Sequence, residues 1–389
     1  LKMHLPLAWL QLIKNKSRFL VAVCGIAFAC ILIFVEMGFE QSLYVGCTKP
    51  HKAMEGDLFL VSPSYQTFYG IKSFSRRKLY QALAVPGVET INSVRIGKGT
   101  MKNPENKLFR DILIFGVDPD YPGLKLDSAA ADLVSLKQVG NVLFDRASRP
   151  EFGPIETVLK TKQHCTIEVN KLRLKSTGLF TMGASFAADG NLLTSDITLL
   201  KLEPKRSPDE IEVGLIKSGS AIAGDTDKLE RLRQQVQSYL GSSVQVLNGP
   251  TFAEREKTYW AGSTGVGFIF GLGVLVGFIV GVVIVYQVLS SDVVDHLPEY
   301  ATLKAMGYSD RYLFGIIMQE ALILSVAGFL PGVLASAGIY EIAHAATLYP
   351  LSMTTERIAL VFVMTFLMCA ISGFIAARKL HSADPAELF

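Results

Sequence analysis

The chain has 389 residues, 50% hydrophobic and 19% charged, with a formal net charge of +3 and a mean hydropathy of +0.33. That is too apolar for one soluble domain of this length, so membrane spans are expected. The small charge and the lack of an extended basic run argue against a nucleic-acid binder. Five cysteines without a C-x-x-C pair and six scattered histidines offer no metal-ligand spacing. No serine sits in a G-x-S-x-G elbow, so no catalytic residue is predicted.

Residues 5–13 are largely apolar and include Trp9, and Lys14, Lys16 and Arg18 follow. This pattern predicts an amphipathic interfacial helix over 1–18. The run 19–39 carries a single charge, Glu36, and predicts a first span at 19–40, longer than a signal-peptide core. Residues 41–258 then read as an α+β domain. Positions 58–61 suit a strand. Ser75 is placed to cap a helix through Leu79 and Leu83, stopped by Pro86-Gly87 before a strand at 88–94. Leu229, Leu232, Val236, Tyr239 and Leu240 recur at helical spacing, with Asp227 and Glu230 placed like a capping box. Gly241 ends that helix before a strand at 244–246. The two helix–stop–strand units resemble each other and imply an α/β subdomain built from both ends of the segment. Alternation at 166–169 and 172–175 suits half-exposed strands in a β-rich insertion at about 130–205. Cys47 and Cys165 could pair if this region is exported.

Tyr259 and Trp260 mark a membrane interface, and a second span is predicted over 259–290. Within it Gly273, Gly277 and Gly281 are four apart and share one helix face, which permits close helix packing. Gly271-Leu272-Gly273 is not a phosphate loop, because it lies inside an apolar run with no strand before it. Residues 291–312 are too polar for lipid. There Pro298 and Glu299 suit a helix start and Gly307 a left-handed stop. A third span at 313–343 contains Pro331, where a kink is expected, and Glu320, expected to be hydrogen-bonded near the interface. A short loop at 344–356, a fourth span at 357–377 and a tail at 378–389 complete the chain. Lys and Arg concentrate in the amino-terminal arm, the 291–312 connector and the tail, which are therefore expected to be cytoplasmic. Residues 41–258 and the 344–356 loop are then extracytoplasmic.

Three stretches resemble FtsX/MacB-type ABC transporter permeases. They are Glu299-Tyr300-Ala301-Thr302-Leu303-Lys304-Ala305-Met306-Gly307, the tail from Ala377-Arg378-Lys379-Leu380 through Asp384-Pro385-Ala386-Glu387, and the helix through Glu254-Arg255-Glu256 into Trp260. Within that group the chain is most similar to the DevC-type permeases of cyanobacteria. The resemblance implies a bundle of four transmembrane helices with a large MacB-like α+β domain of two subdomains inserted between helices 1 and 2, in a bacterial inner membrane. It implies that Glu299, Tyr300, Ala301, Leu303, Lys304, Ala305, Met306 and Gly307 form a coupling helix for an ATPase. Leu303 and Met306 would be its main contacts, with Glu299 and Lys304 at the rim. No G-x-x-x-x-G-K-[ST] occurs in the chain, so a separate DevA-like ATPase is expected to bind ATP and Mg. A DevB-like periplasmic adaptor, a TolC-like outer-membrane duct and a second permease copy are the other implied partners, and envelope glycolipid the implied cargo. A transenvelope regulator of wall hydrolases and a lipoprotein-releasing permease share the architecture and remain alternatives.

Overall fold

The computed structural model describes residues 9, 12, 14–125, 132–185 and 188–381. Most of the expected interfacial helix over 1–18 and the tail motif Asp384-Pro385-Ala386-Glu387 lie outside them. In chain order the helices are α1 (Lys16–Ala53), α2 (Arg76–Ala82), α3 (Ile155–Thr161), α4 (Asp196–Leu202), α5 (Thr226–Leu240), α6 (Gly249–Thr258), α7 (Val266–Asp295), α8 (Leu297–Ala305), α9 (Asp310–Thr347) and α10 (Thr355–His381). The strands are β1 (Leu58–Val61), β2 (Phe74–Ser75), β3 (Val88–Lys102), β4 (Phe109–Val117), β5 (Asn141–Asp145), β6 (Cys165–Val169), β7 (Leu172–Phe180), β8 (Gly190–Ser195), β9 (Glu210–Ile211), β10 (Val213–Ser218) and β11 (Gln245–Asn248). The chain divides into a helical unit, residues 1–42, 266–346 and 351–389, and an α+β unit, residues 43–265 with 347–350.

In the helical unit α1, α7, α9 and α10 are long and apolar enough to cross a membrane. A helix satisfies its own backbone in lipid, which is why apolar runs of this length fold so. The bundle core joins Ile26, Cys30, Ile33 and Phe34 of α1 to Val285 and Leu289 of α7, Leu324 and Phe329 of α9, and Met368 and Cys369 of α10. Phe268, Ile269, Leu272 and Leu275 on α7 stay exposed, as a lipid-facing surface should. Pro331 sits inside α9, which continues through it. Glu320 lies beside Asp292 of α7, with which it shares a side-chain hydrogen bond. It is fully buried.

The α+β unit is built on one nine-stranded sheet in the order β11-β1-β10-β3-β4-β8-β5-β7-β6, and β6 also pairs with β3. The long strand β3 is shared: its first half pairs with β10 and Arg95–Lys102 pairs with β4. Through Met101↔Val169 and Lys102↔Glu168 the last six strands close into a ring. The two expected subdomains are therefore halves of one sheet. The alternating segments at 166–169 and 172–175 form the β6–β7 hairpin. Its two-residue turn has positive φ at Asn170 and Lys171, which matches the twist of the strands.

Two local expectations need correction. Helix α5 starts at Thr226, and Asp225 caps it by accepting from the Asp227 and Lys228 amides. Glu230 instead binds Arg233, so there is no capping box at Asp227 and Glu230. Ser75 occupies the cap position of α2, but its side chain makes no capping bond. Cys47 and Cys165 are both buried and free.

Candidate functional site

The connector predicted from sequence is α8, nine residues between the long helices α7 and α9. Pro298 lies in its first turn, where a missing N–H costs nothing. Its end is a Schellman stop: the Tyr308 amide donates to the Leu303 carbonyl at 3.1 Å and the Gly307 amide to that of Lys304 at 2.9 Å. Gly307 has φ +95°, a conformation side chains resist.

The two faces of α8 differ. Tyr300 and Ala301 are buried, Tyr300 in a cluster with Val293, Leu313, Ile316, Ile317 and Ala377. Leu303 packs partly against the same cluster, so it serves its own bundle. Met306 is 64% exposed, and Glu299, Thr302 and Ala305 are exposed beside it. Lys304 pairs with Asp310 at 2.8 Å and Lys14 with Glu299 at 3.4 Å. These are surface pairs that orient more than they stabilise. The outcome is a short helix anchored from below with a mixed apolar and polar outer face.

The glycine stripe of α7 faces other helices of its own bundle. A Cβ on Gly273 would meet Glu36 Oε1 at 2.6 Å, and one on Gly277 would meet Ile33 Cγ1 at 3.2 Å. On Gly281 it would strike Met368 Sδ and lie 2.9 Å from Ala29 Cβ. The stripe thus lets α1 and α10 approach α7.

A third constellation lies in the α+β unit. The Glu256 side chain on α6 is 1% exposed. Its Oε1 accepts from Thr67 Oγ1 at 2.7 Å and Trp260 Nε1 at 2.9 Å. Its Oε2 accepts from the Phe68 amide at 2.9 Å and the Tyr65 hydroxyl at 3.1 Å. His51 Nε2 lies 3.5 Å from Oε2, with its ring stacked on Phe68. One carboxyl group therefore joins α1, the loop after β1, α6 and the π-helical turn Tyr259–Ser263. Burial raises the Glu256 pKa, against the pull of its four donors. Burial, and then the charge of Glu256, push Tyr65 well above the usual phenol value. Glu254-Arg255-Glu256 belongs to a stretch that resembles the permease family, whereas Tyr65 and Thr67 sit in an irregular loop and carry no periodic sequence signal.

Residues 267–385 match the family described as FtsX-like permease C-terminal. The FtsX-like segment thus contains nearly all of α7, the whole of α8 and α9, and α10. No match to the chain is found among curated proteins. Among solved structures the chain is similar to the periplasmic region of MacB from Actinobacillus actinomycetemcomitans. That match has 12% identity over 52% of this chain and 94% of the other, with a TM-score of 0.36. The extracellular domain of the noncanonic ABC-type transporter YknZ from Gram-positive bacteria matches at 16% identity over 49% and 99%, with a TM-score of 0.34. A domain of a putative permease protein from Porphyromonas gingivalis matches at 13% identity over 51% and 90%, with a TM-score of 0.30.

Proposed function

We propose that this chain is the membrane subunit of an ABC transporter that passes force from a separate ATPase to a periplasmic domain. The observation that carries this is α8 inside the FtsX-like segment: Tyr300 and Ala301 anchor it, and Thr302, Ala305 and Met306 are exposed. Exposed apolar and small side chains on a rigid helix between two spans suit a protein partner. In this reading the partner, DevA-like, binds ATP and Mg and closes in pairs. Two copies of this chain are then pushed together at their α8 helices, and the spans carry the motion to the α+β units. A DevB-like adaptor and a TolC-like duct receive an amphipathic cargo such as a glycolipid, exported across the envelope from the inner membrane. This chain performs no chemistry of its own.

The test is purification of the detergent-solubilised protein with its interacting chains. An ABC ATPase should copurify, and its ATP hydrolysis in lipid should rise when the permease is present. Copurification of wall hydrolases without an adaptor or duct would overturn the transport reading in favour of a regulator.

A further inference from the structure

A cavity of about 430 Å³ opens on the α+β unit, lined among others by Ser64, Tyr65, Arg255, Thr258, Tyr259 and Ser263. Its floor is rigid. Tyr65 borders the cavity from below but is 2% exposed, with its hydroxyl engaged by Glu256 and His51. Tyr259, half-buried, supplies the ring surface and is set edge-on to Trp260 at 5.9 Å. The hydroxyls of Ser64, Thr258 and Ser263 supply neutral donors and acceptors at the rim.

Charge gives the cavity a sign. Arg255 reaches Gln245 Oε1 with one guanidinium nitrogen at 2.5 Å. The neighbouring carboxylates are engaged elsewhere: Glu254 pairs with Lys257 at 3.6 Å, and Glu256 is enclosed by its four donors. A guanidinium keeps its charge and suits phosphate or carboxylate oxygens. Ser263 precedes Val266, the first residue of the apolar helix α7, by three positions. This adjacency in sequence to an apolar helix favours an amphiphile as the ligand. An aromatic wall, hydroxyls and a cation with no ion pair among the described residues match an anionic, hydroxyl-bearing head rather than a bare acyl chain.

The geometry points to this cavity as a binding site for the anionic headgroup of an amphiphile, with Arg255 holding the charge and Tyr259 flanking the head. Calling that amphiphile a transported substrate rests on the transport reading above. Binding itself is measured without any ATPase, so the two readings fail separately.

The chain has two tryptophans. Full-length Trp9→Phe protein in neutral detergent leaves Trp260 as the reporter. It is titrated with dihexanoyl-phosphatidylglycerol, dihexanoyl-phosphatidylcholine and glycerol phosphate. Phosphatidylglycerol should give a saturable fluorescence change at least about tenfold tighter than either of the others. Arg255→Gln should weaken it about tenfold, and Arg255→Lys should restore most of the loss, a rescue that a structural defect would not show. Ser64→Leu, which keeps the charge and fills the rim, should weaken all ligands. Equal binding of both lipids, or an unchanged Arg255→Gln titration with an unchanged melting curve, overturns the site. Glycerol phosphate binding as tightly as the lipid overturns the amphiphile as its ligand.

Discussion

Tyr65 donates its hydroxyl to Glu256 at 3.1 Å across 191 positions of sequence. The bond belongs to a set in which one buried carboxyl group takes four donors, so removing the acceptor is costlier than removing any donor. Glu256→Ala would leave the Tyr65, Thr67, Phe68 and Trp260 donors without it. At about 1–3 kcal/mol for a buried orphan group, the loss should be on the order of 3 kcal/mol or more. Tyr65→Phe removes one donor and should cost about 1 kcal/mol. Chemical denaturation followed by Trp260 fluorescence checks the order. A Tyr65→Phe loss equal to that of Glu256→Ala would contradict it.

The same carboxyl group gives a pH dependence with a definite sign. Burial raises its folded pKa above the ordinary 4.5. The folded state therefore holds the proton more tightly than the unfolded state. The contribution to stability is full below about 4.5 and is lost as pH rises through the folded value. Glu256→Gln does not titrate. The wild-type melting temperature relative to Glu256→Gln should rise as pH is lowered from about 7.5 to about 4.5. A difference that stays constant, or moves the other way, would show that the donors outweigh burial.

Much of the fold was legible in the sequence because apolar length and helical spacing report directly on spans and on amphipathic helices. The four spans, α2, α5, the β6–β7 pair and the Gly307 stop were all readable in that way. The single sheet was not, because the sharing of β3 between two sets of partners is a matter of long-range pairing. The cap at Asp225 was missed for a local reason. Asp227 and Glu230 have the spacing of a box, yet an aspartate two positions earlier begins the helix. The Glu256 constellation was only partly legible: Glu256 and Trp260 lie in a stretch that resembles the permease family, but Tyr65, Thr67 and Phe68 come from a segment without periodicity.

The glycine stripe predicts graded damage. Gly281→Leu and Gly277→Leu should lower the melting temperature in detergent, since extra carbons must displace Met368, Ala29 or Ile33. Overpacking of this kind costs about 1–3 kcal/mol. A Cβ on Gly271 would meet nothing within 4 Å, so Gly271→Ala should be neutral. If Gly281→Leu melted like wild type, the close approach of α7 to α1 and α10 would be wrong.

Orientation is tested by labelling. With α8 cytoplasmic, Met306→Cys should resist a membrane-impermeant maleimide in intact cells and react after permeabilisation. Glu105→Cys, on an exposed loop of the α+β unit, should react without it. Labelling of Met306→Cys from outside intact cells would invert the topology.

The outer face of α8 carries the last prediction. Leu303 was expected to be a main contact, but it packs partly on the cluster around Tyr300, so Leu303→Asp would disturb the bundle and the docking together. Met306 separates the two, because its side chain is 64% exposed and a substitution there leaves the internal packing alone. A contact residue buried by a partner commonly costs about 2 kcal/mol or more when removed, whereas rim residues cost little. Met306→Asp should therefore melt like wild type while losing most of the stimulated ATP hydrolysis and copurifying less ATPase. Glu299→Gln, at the edge of the face beside Lys14, should be mild in both measurements. Wild-type stimulation by correctly folded Met306→Asp protein would show that α8 is not where force enters the bundle.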